Sequence, residues 1–554
     1  MKTALATGSA VLMLLSGSAT AQDFTIRVNV ATSGEQANAV SNAGSLSADG
    51  RYVGIVSAAS NLVPGDTNAR SDVFVRDVQA SQTDRVSVDS NGYEGNGDSY
   101  FAKLSSDARY VAFSSWATNL VPGDTNNVAD IFVHDRQTRF TTRVSLASSG
   151  VQGNGASGLY GLGLSADGRY VAFSSDASNL VGGDTNGVTD IFVYDRQTLT
   201  VVRASVGAGG AQGNGPSSWP WISADGRYVE FMSVANNLVP GDTNNAQDVF
   251  VHDLKTGQTT RISVDSAGKQ GNGECASHTL SGDGRHAAFW SAATNLVAGD
   301  TNGKWDVFVH DLQTGETTRV SVDTNGAQGN DDSNGGALSA DGRYVAFHSR
   351  ASNLGGGTNG LIHVFVHDRQ MGCTTLASVD STGVQANGDS TWPDISADGQ
   401  YLSFTSAASN LVASDTNACD DVFRRDWCPT SWHNYGPGWP GTNGIPSLTA
   451  SGDPVLCTAI TLYLENSSGA PTRAVFLAGP TEVYWPTALG GVLLVYPQVV
   501  VPMALPAGVN ALPVDIPCDC GLGGLAIYLQ VLEQDPGASQ GASFTRGLAL
   551  VLGR

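Results

Sequence analysis

The chain has 554 residues, enough for several domains, with 51 acidic and 29 basic side chains for a formal net charge of −22. So acidic a surface repels nucleic-acid phosphate and anionic lipid, which sets both aside as partners. Val492–Leu505 is the most apolar stretch of the later chain, but Pro497 and Pro502 break it; it reads as buried strands, and no membrane insertion is expected. In chain order, Met1–Ala21 reads as a secretory signal peptide. Lys2 gives the positive start, Ala10–Leu15 the apolar centre and Ala19-Thr-Ala21 a small-residue cleavage site. The expectation is a secreted or periplasmic protein. No Cys follows the cleavage site, so no lipid anchor is expected. Phe24–Val30 then reads as one strand.

From there the chain repeats itself. An Asp in a Ser-x-Asp-Gly-type turn recurs at Asp49, Asp107, Asp167, Asp225, Asp283, Asp341 and Asp398, at a spacing of 58 residues with one step of 60 and one of 57. A fixed period in this range signals a repeat architecture. In the third copy, Leu162–Ser165, Tyr170–Ser175, Asp190–Asp195 and Thr200–Val206 read as strands A to D. Asp167-Gly168 supplies the A–B hairpin, since Gly accepts a positive φ without steric cost. Each repeat is thus a four-stranded antiparallel meander, and seven of them suggest a seven-bladed β-propeller over residues 22–427. An open β-solenoid is the alternative. Phe24–Val30 looks like a D strand, and the seventh copy, ending at Asp426, lacks one. The first stretch can therefore complete the last blade and close a ring, for which an open stack has no use.

The pair Ser165-Ala-Asp-Gly-Arg-Tyr-Val-Ala-Phe173 and Asp190-Ile-Phe-Val-Tyr-Asp195 resembles the WD40-like repeats of the TolB-type propeller family, over roughly residues 24–427. The resemblance implies the propeller fold and a role as a binding scaffold or as the accessory domain of a peptidase. The B–C connection is longer here than in that family's repeat.

After Asp426 the repeat stops. Residues 428–448 are rich in Pro, Gly and Trp and read as a linker. From Thr449 short apolar runs divided by Gly and Pro suggest a β-sandwich over 449–554, of the kind appended to secreted bacterial proteins. The fold class is therefore all-β. Seven Cys leave at least one thiol unpaired within the chain, and one or two bridges are expected among Cys428, Cys457, Cys518 and Cys520.

In a meander, the A–B and C–D turns share one face and the B–C and D–A connections share the other. The latter are long, and long loops on a rigid scaffold are where binding concentrates. The B–C loops carry Asp-x-Asn-x-x-x-Asp: Asp66/Asn68/Asp72, Asp124/Asn126/Asp130, Asp184/Asn186/Asp190, Asp242/Asn244/Asp248, Asp300/Asn302/Asp306 and Asp415/Asn417/Asp421. Oxygen ligands so spaced suit a hard cation such as calcium. The alternative is Asx turns with an Asp anchoring strand C. The sixth copy, with Asn359 and His363, lacks both acids, and Leu376 stands where other D strands have Arg. The D–A loops carry Asn96, Asn154, Asn214, Asn272, Asn330 and Asn387 in register, each in a Gly-flanked turn or in a ring of amides facing a ligand.

Signals for catalysis are poor. His134, His252, His310 and His367 share one place at the end of strand C, which reads as rim packing. Gly537-Ala-Ser539-Gln-Gly541 matches a nucleophile elbow, but no His follows it, so it reads as a loop. The reading is an exported, non-catalytic propeller that binds a protein, peptide or glycan on its B–C/D–A face. The alternative is a polysaccharide-active lyase or hydrolase, which would need one blade to differ and to bring His, Lys or paired acids into the central channel.

Overall fold

The computed structural model describes residues 24–356, 359–427, 431–452, 454, 459–516 and 525–552. The expected signal peptide and the four C-terminal cysteines lie outside them. The chain divides into two compact units, one over Phe24–Trp427 and one from Cys428 onward.

The first unit is seven four-stranded antiparallel sheets. In the third, Ser157–Leu164, Tyr170–Ser175, Asp190–Asp195 and Thr200–Arg203 pair in chain order. Strands B and C match the sequence reading. Strand D is shorter than expected because the chain leaves the ladder after Arg203, and Val206 instead bridges Gln212. Strand C is buried along nearly its whole length because neighbouring blades cover both faces. Phe173 and Phe192 stack at 6.0 Å, both fully buried, in a core that draws Ala112, Ile131 and Val133 from the preceding blade. Each such Phe contributes roughly 1.5–3 kcal/mol by leaving water.

Turn chemistry locks blade to blade. Gly168 lies at φ 71°, and a Cβ there would come within 2.3 Å of the Tyr110 ring of the blade before. Arg196 covers the same ring at 4.3 Å. Beside this turn one backbone N–H per blade donates to the next blade's carbonyl: Ala48 to Ser106, then Ala166, Ala224, Gly282, Ala340, Ala397 and back to Ala48, each at 2.8–3.1 Å. Seven bonds that return to their start make a closed ring, which rules out the solenoid.

Closure is completed by the chain's first described residues. Thr25–Arg27 pairs antiparallel with Asp421–Asp426, as the surplus and the missing strand require, although the ladder is shorter than Phe24–Val30. Thr25 Oγ1 donates to Val379 O at 2.7 Å.

The described residues of the second unit are also antiparallel, in sheets of six, three and two strands. Leu448, Ala450, Ile460, Leu462 and Leu464 put one face of the three-stranded sheet inside. The linker reading of 428–448 is corrected here. Ser431–Tyr435 is a strand on Gly547–Val551, and Trp439 exchanges backbone bonds with Phe544 at 2.9 and 3.0 Å. A short polar–aromatic alternation among prolines and glycines is enough to join a sheet edge. Cys275 and Cys419 carry free thiols, and Cys373 is disulfide-bonded.

Candidate binding site

The Asp-x-Asn-x-x-x-Asp loops converge, one set per blade, on a guanidinium from strand D. Arg85 Nη1 lies 3.3 Å from both Asp66 and Asp72, and Arg143 lies 3.1 and 3.2 Å from Asp124 and Asp130. Arg203 pairs likewise with Asp184 and Asp190, Arg261 with Asp242 and Asp248, and Arg319 with Asp300 and Asp306. In the last blade Arg27, carried in on the first strand, pairs with Asp415 and Asp421. Asn68, Asn126, Asn186, Asn244, Asn302 and Asn417 donate Nδ2 to the second acid of their loop. Their Oδ1 accepts the N–H two residues on, which is an Asx turn. This set offers a cation and an amide donor where a metal ion needs acceptors. Burial raises the pKa of Asp66, Asp124, Asp184 and Asp300, and the arginines partly offset it. In the sixth blade acids and arginine are lost together: Asn359 meets His363 at 2.7 Å, and His363 meets Ser378 at 2.9 Å. The two acids of the other blades share the arginine.

The D–A asparagines are spent on their own blade. Asn96 N–H donates to Asn119 Oδ1 at 2.9 Å, and Asn96 Nδ2 donates to Thr118 Oγ1 at 3.0 Å. The pattern recurs at Asn154, Asn214, Asn272, Asn330 and Asn387. Their flanking glycines do not need a positive φ, contrary to expectation; they are there for space. A Cβ on Gly97 would stand 2.6 Å from the Trp116 carbonyl carbon.

What differs between blades is strand A: Ser41–Leu46, Ser99–Leu104, Ser157–Leu164, Ser217–Ile222, Cys275–Leu280, Ser333–Leu338 and Ser390–Ile395. Successive A strands adjoin around the whole ring and so surround its axis. Every A–B ladder slips register midway, a β-bulge that re-aims side chains. At the bulge Phe101, Trp219 and Trp392 sit at φ 59°, 53° and 52°. Aromatic residues rarely adopt such backbone, which persists only where the surroundings over-determine it. All three line one cavity of about 410 Å³, together with Tyr100, Trp221 and Trp290. Phe101 and Trp219 meet edge to face at 5.9 Å, and Trp392 is 50% exposed. The cavity opens toward the B–C and D–A loops: Asn42 and Tyr100 stand second in their A strands, and Met232 and Trp290 next to last in strands B (Tyr228–Ser233 and His286–Ser291).

Deeper lie Lys103 and Asp394, both fifth in the A strand. Lys103 Nζ is 3.7 Å from the Trp221 ring centroid. Gly161 and Gly163 of the blade between have no side chain to block that reach. Burial brings the Lys103 pKa down to about 8, against the opposing charge of Asp394; burial pushes Asp394 up, against Lys103. Asp394 Oδ2 accepts Leu46 N–H at 2.8 Å.

No candidate from the sequence lies in this cavity. Aligning the repeats to find what they share hides it. The signal was the opposite one: the positions after each D–A loop where Phe101, Lys103, Trp219, Trp221, Trp392 and Asp394 depart from Ala43 and Ser45 of the first copy. The strand-C histidines pack on the rim as expected. Thr141 Oγ1 donates to Val88 O of the preceding blade at 2.5 Å, so it accepts at 2.9 Å from His134 Nδ1, which carries the proton.

No family model matches the chain, and no curated protein does. Solved structures similar to it include a putative TolB from Agrobacterium tumefaciens, at 15% identity over 55% of this chain and 89% of that one, with a TM-score of 0.31. The WD40 repeats of RRP9 match at 11% identity over 74% and 99%, with a TM-score of 0.38. Prolyl oligopeptidase B from Galerina marginata matches at 9% over 85% and 60%, with a TM-score of 0.42. The fold itself, seven four-stranded antiparallel sheets closed in a ring, is a β-propeller.

Proposed function

We propose that this protein is an exported, non-catalytic propeller that binds a protein, peptide or glycan at the end of its channel bearing the B–C and D–A loops. The supporting observation is one cavity walled by aromatic side chains on bulged, left-handed backbone at Phe101, Trp219 and Trp392. Concave, mostly apolar sites with a few convergent polar groups are the usual form of a ligand pocket. Titration of peptide and oligosaccharide panels by calorimetry tests the reading. Affinity for any ligand found should fall at least tenfold in Trp219→Ala/Trp392→Ala. A ligand indifferent to that change and sensitive to Asn119→Ala would move the site to the loops.

The alternative, a polysaccharide-active lyase or hydrolase, is favoured by one observation: Lys103 and Asp394 are a base and an acid in the channel with pKa values displaced toward neutrality. New reducing ends or unsaturated products from a polysaccharide, absent with Lys103→Met, would establish it. Export rests on Met1–Ala21. Calcium on the B–C loops would have to compete with the arginines for Asp184 and Asp190. A melting temperature that rises in millimolar calcium relative to chelator, and less so in Asp184→Asn/Asp190→Asn, would establish that binding.

A further inference from the structure

We propose that the ligand group seated in the channel cavity is a neutral, polyhydroxylated ring, a sugar residue of a glycan, stacked on the aromatic wall and hydrogen-bonded by Lys103 and Asp394. The inference rests on the binding reading above and gives it a ligand class.

Two features of the cavity select that chemistry. The first is its wall, which is lined by Trp219, Trp221 and Trp392, with Trp392 half exposed. The second is the pair of charges at depth. Among the described residues Lys103 Nζ makes no hydrogen bond or ion pair, only its contact with the Trp221 ring. Its ammonium lines the cavity, and its N–H donors have no hydrogen-bond acceptor among the described residues. Asp394 takes backbone N–H groups, from Leu46 at 2.8 Å and from Ile395, and among the described residues it makes no ion pair with Lys103. Both groups are only half-buried, so a ligand that fills the cavity must replace the water on one cation and on one anion.

Charge complementarity sorts the candidates. A carboxylate ligand would answer Lys103 and face Asp394 with like charge. An ammonium ligand would answer Asp394 and face Lys103. A purely apolar ligand would strip water from both and replace it with nothing. Hydroxyl groups donate to a carboxylate and accept from an ammonium, so one neutral polyol serves both. A sugar ring joins such hydroxyls to a C–H face that can lie on indole. Blade one leaves room for it between the two charges, with Ala43 and Gly44 lining the cavity where its two neighbours carry Phe101 and Trp392 in register with Ala43.

Calorimetry on the full chain with neutral hexasaccharides of β-1,4-glucose, β-1,4-xylose, β-1,4-N-acetylglucosamine and α-1,4-glucose tests this. A hexauronic acid and capped neutral hexapeptides form the other arms. At least one neutral hexasaccharide should bind, more tightly than the hexauronic acid, and Lys103→Met and Asp394→Asn should each weaken it tenfold or more. In the unmodified protein the bound saccharide should also protect Lys103 from acylation by an N-hydroxysuccinimide ester, read by peptide mass spectrometry, a test independent of how the variants fold. Capped peptides that bind through Trp219 and Trp392 while no saccharide does would overturn the glycan assignment and leave the binding reading standing. So would a saccharide bound equally well without Lys103 and Asp394, or one that leaves Lys103 fully reactive. No binding in any arm would overturn the glycan assignment.

Discussion

At the scale of single residues, the blades are held by buried charges that balance locally. In the third blade Arg203 is the one cation shared by Asp184 and Asp190. Removing one partner of a buried pair strands the other, at a cost of about 3–5 kcal/mol. Arg203→Leu should therefore lower stability by that order in urea unfolding. Adding Asp184→Gly and Asp190→His copies the sixth blade's neutral solution and should recover most of the loss. A triple variant no more stable than Arg203→Leu would show that the acids do not answer to the arginine. The histidines act through pH. Burial holds His134 and His367 down to about 4, from an ordinary 6.5. Below pH 6.5 the unfolded chain takes up protons there that the folded chain refuses, so stability falls with pH through this window. The loss is about 2 kcal/mol for each histidine between pH 6.5 and 5. The loop acids whose pKa is raised act in the opposite sense. Urea midpoints at pH 7 and 5 should differ less in His134→Gln/His367→Gln than in the unmodified chain. An equal difference would mean that other groups carry the acid sensitivity.

At the scale of elements, the strand Thr25–Arg27 closes the ring by backbone pairing and by bringing Arg27 to Asp415 and Asp421. Deleting residues 24–30 should leave an unpaired sheet edge and two uncompensated acids. Light scattering should then show aggregation; a monomer with an unchanged melting temperature would contradict the closure. This element was legible in sequence because a spare strand at one end matched a missing one at the other. Strands B and C were legible for a similar reason, since burial on both faces demands the continuous apolar runs Tyr170–Ser175 and Asp190–Asp195. Strand A was read too short, as Leu162–Ser165 against Ser157–Leu164, because its bulge breaks the period on which strand reading depends. The cavity stayed hidden for the same reason: its residues come from the bulged half of the A strands of separate blades, and only ring closure brings them together. The acids of the B–C loops were visible as a group, but their common partner, thirteen residues after the second acid on strand D, was outside the motif.

At the scale of the molecule, labour is divided between what the repeats share and what they do not. The shared residues make the ring: the seven-membered circuit of backbone bonds, the Tyr–Gly contacts between blades, and the guanidinium clusters. The unshared residues of strand A make the cavity on its axis. The unit Phe24–Trp427 closes on itself by these means, and a fragment of those residues should melt in one cooperative transition. The most direct test of the division is to make one blade ordinary. Tyr100→Asn/Phe101→Ala/Ala102→Gly/Lys103→Ser gives the second blade the channel face of the first, leaving every ring contact named here in place. Calorimetry should show ligand affinity lost at least tenfold, with a melting temperature within a few degrees of the unmodified chain. Undiminished affinity would contradict the account and place function in the repeated loops.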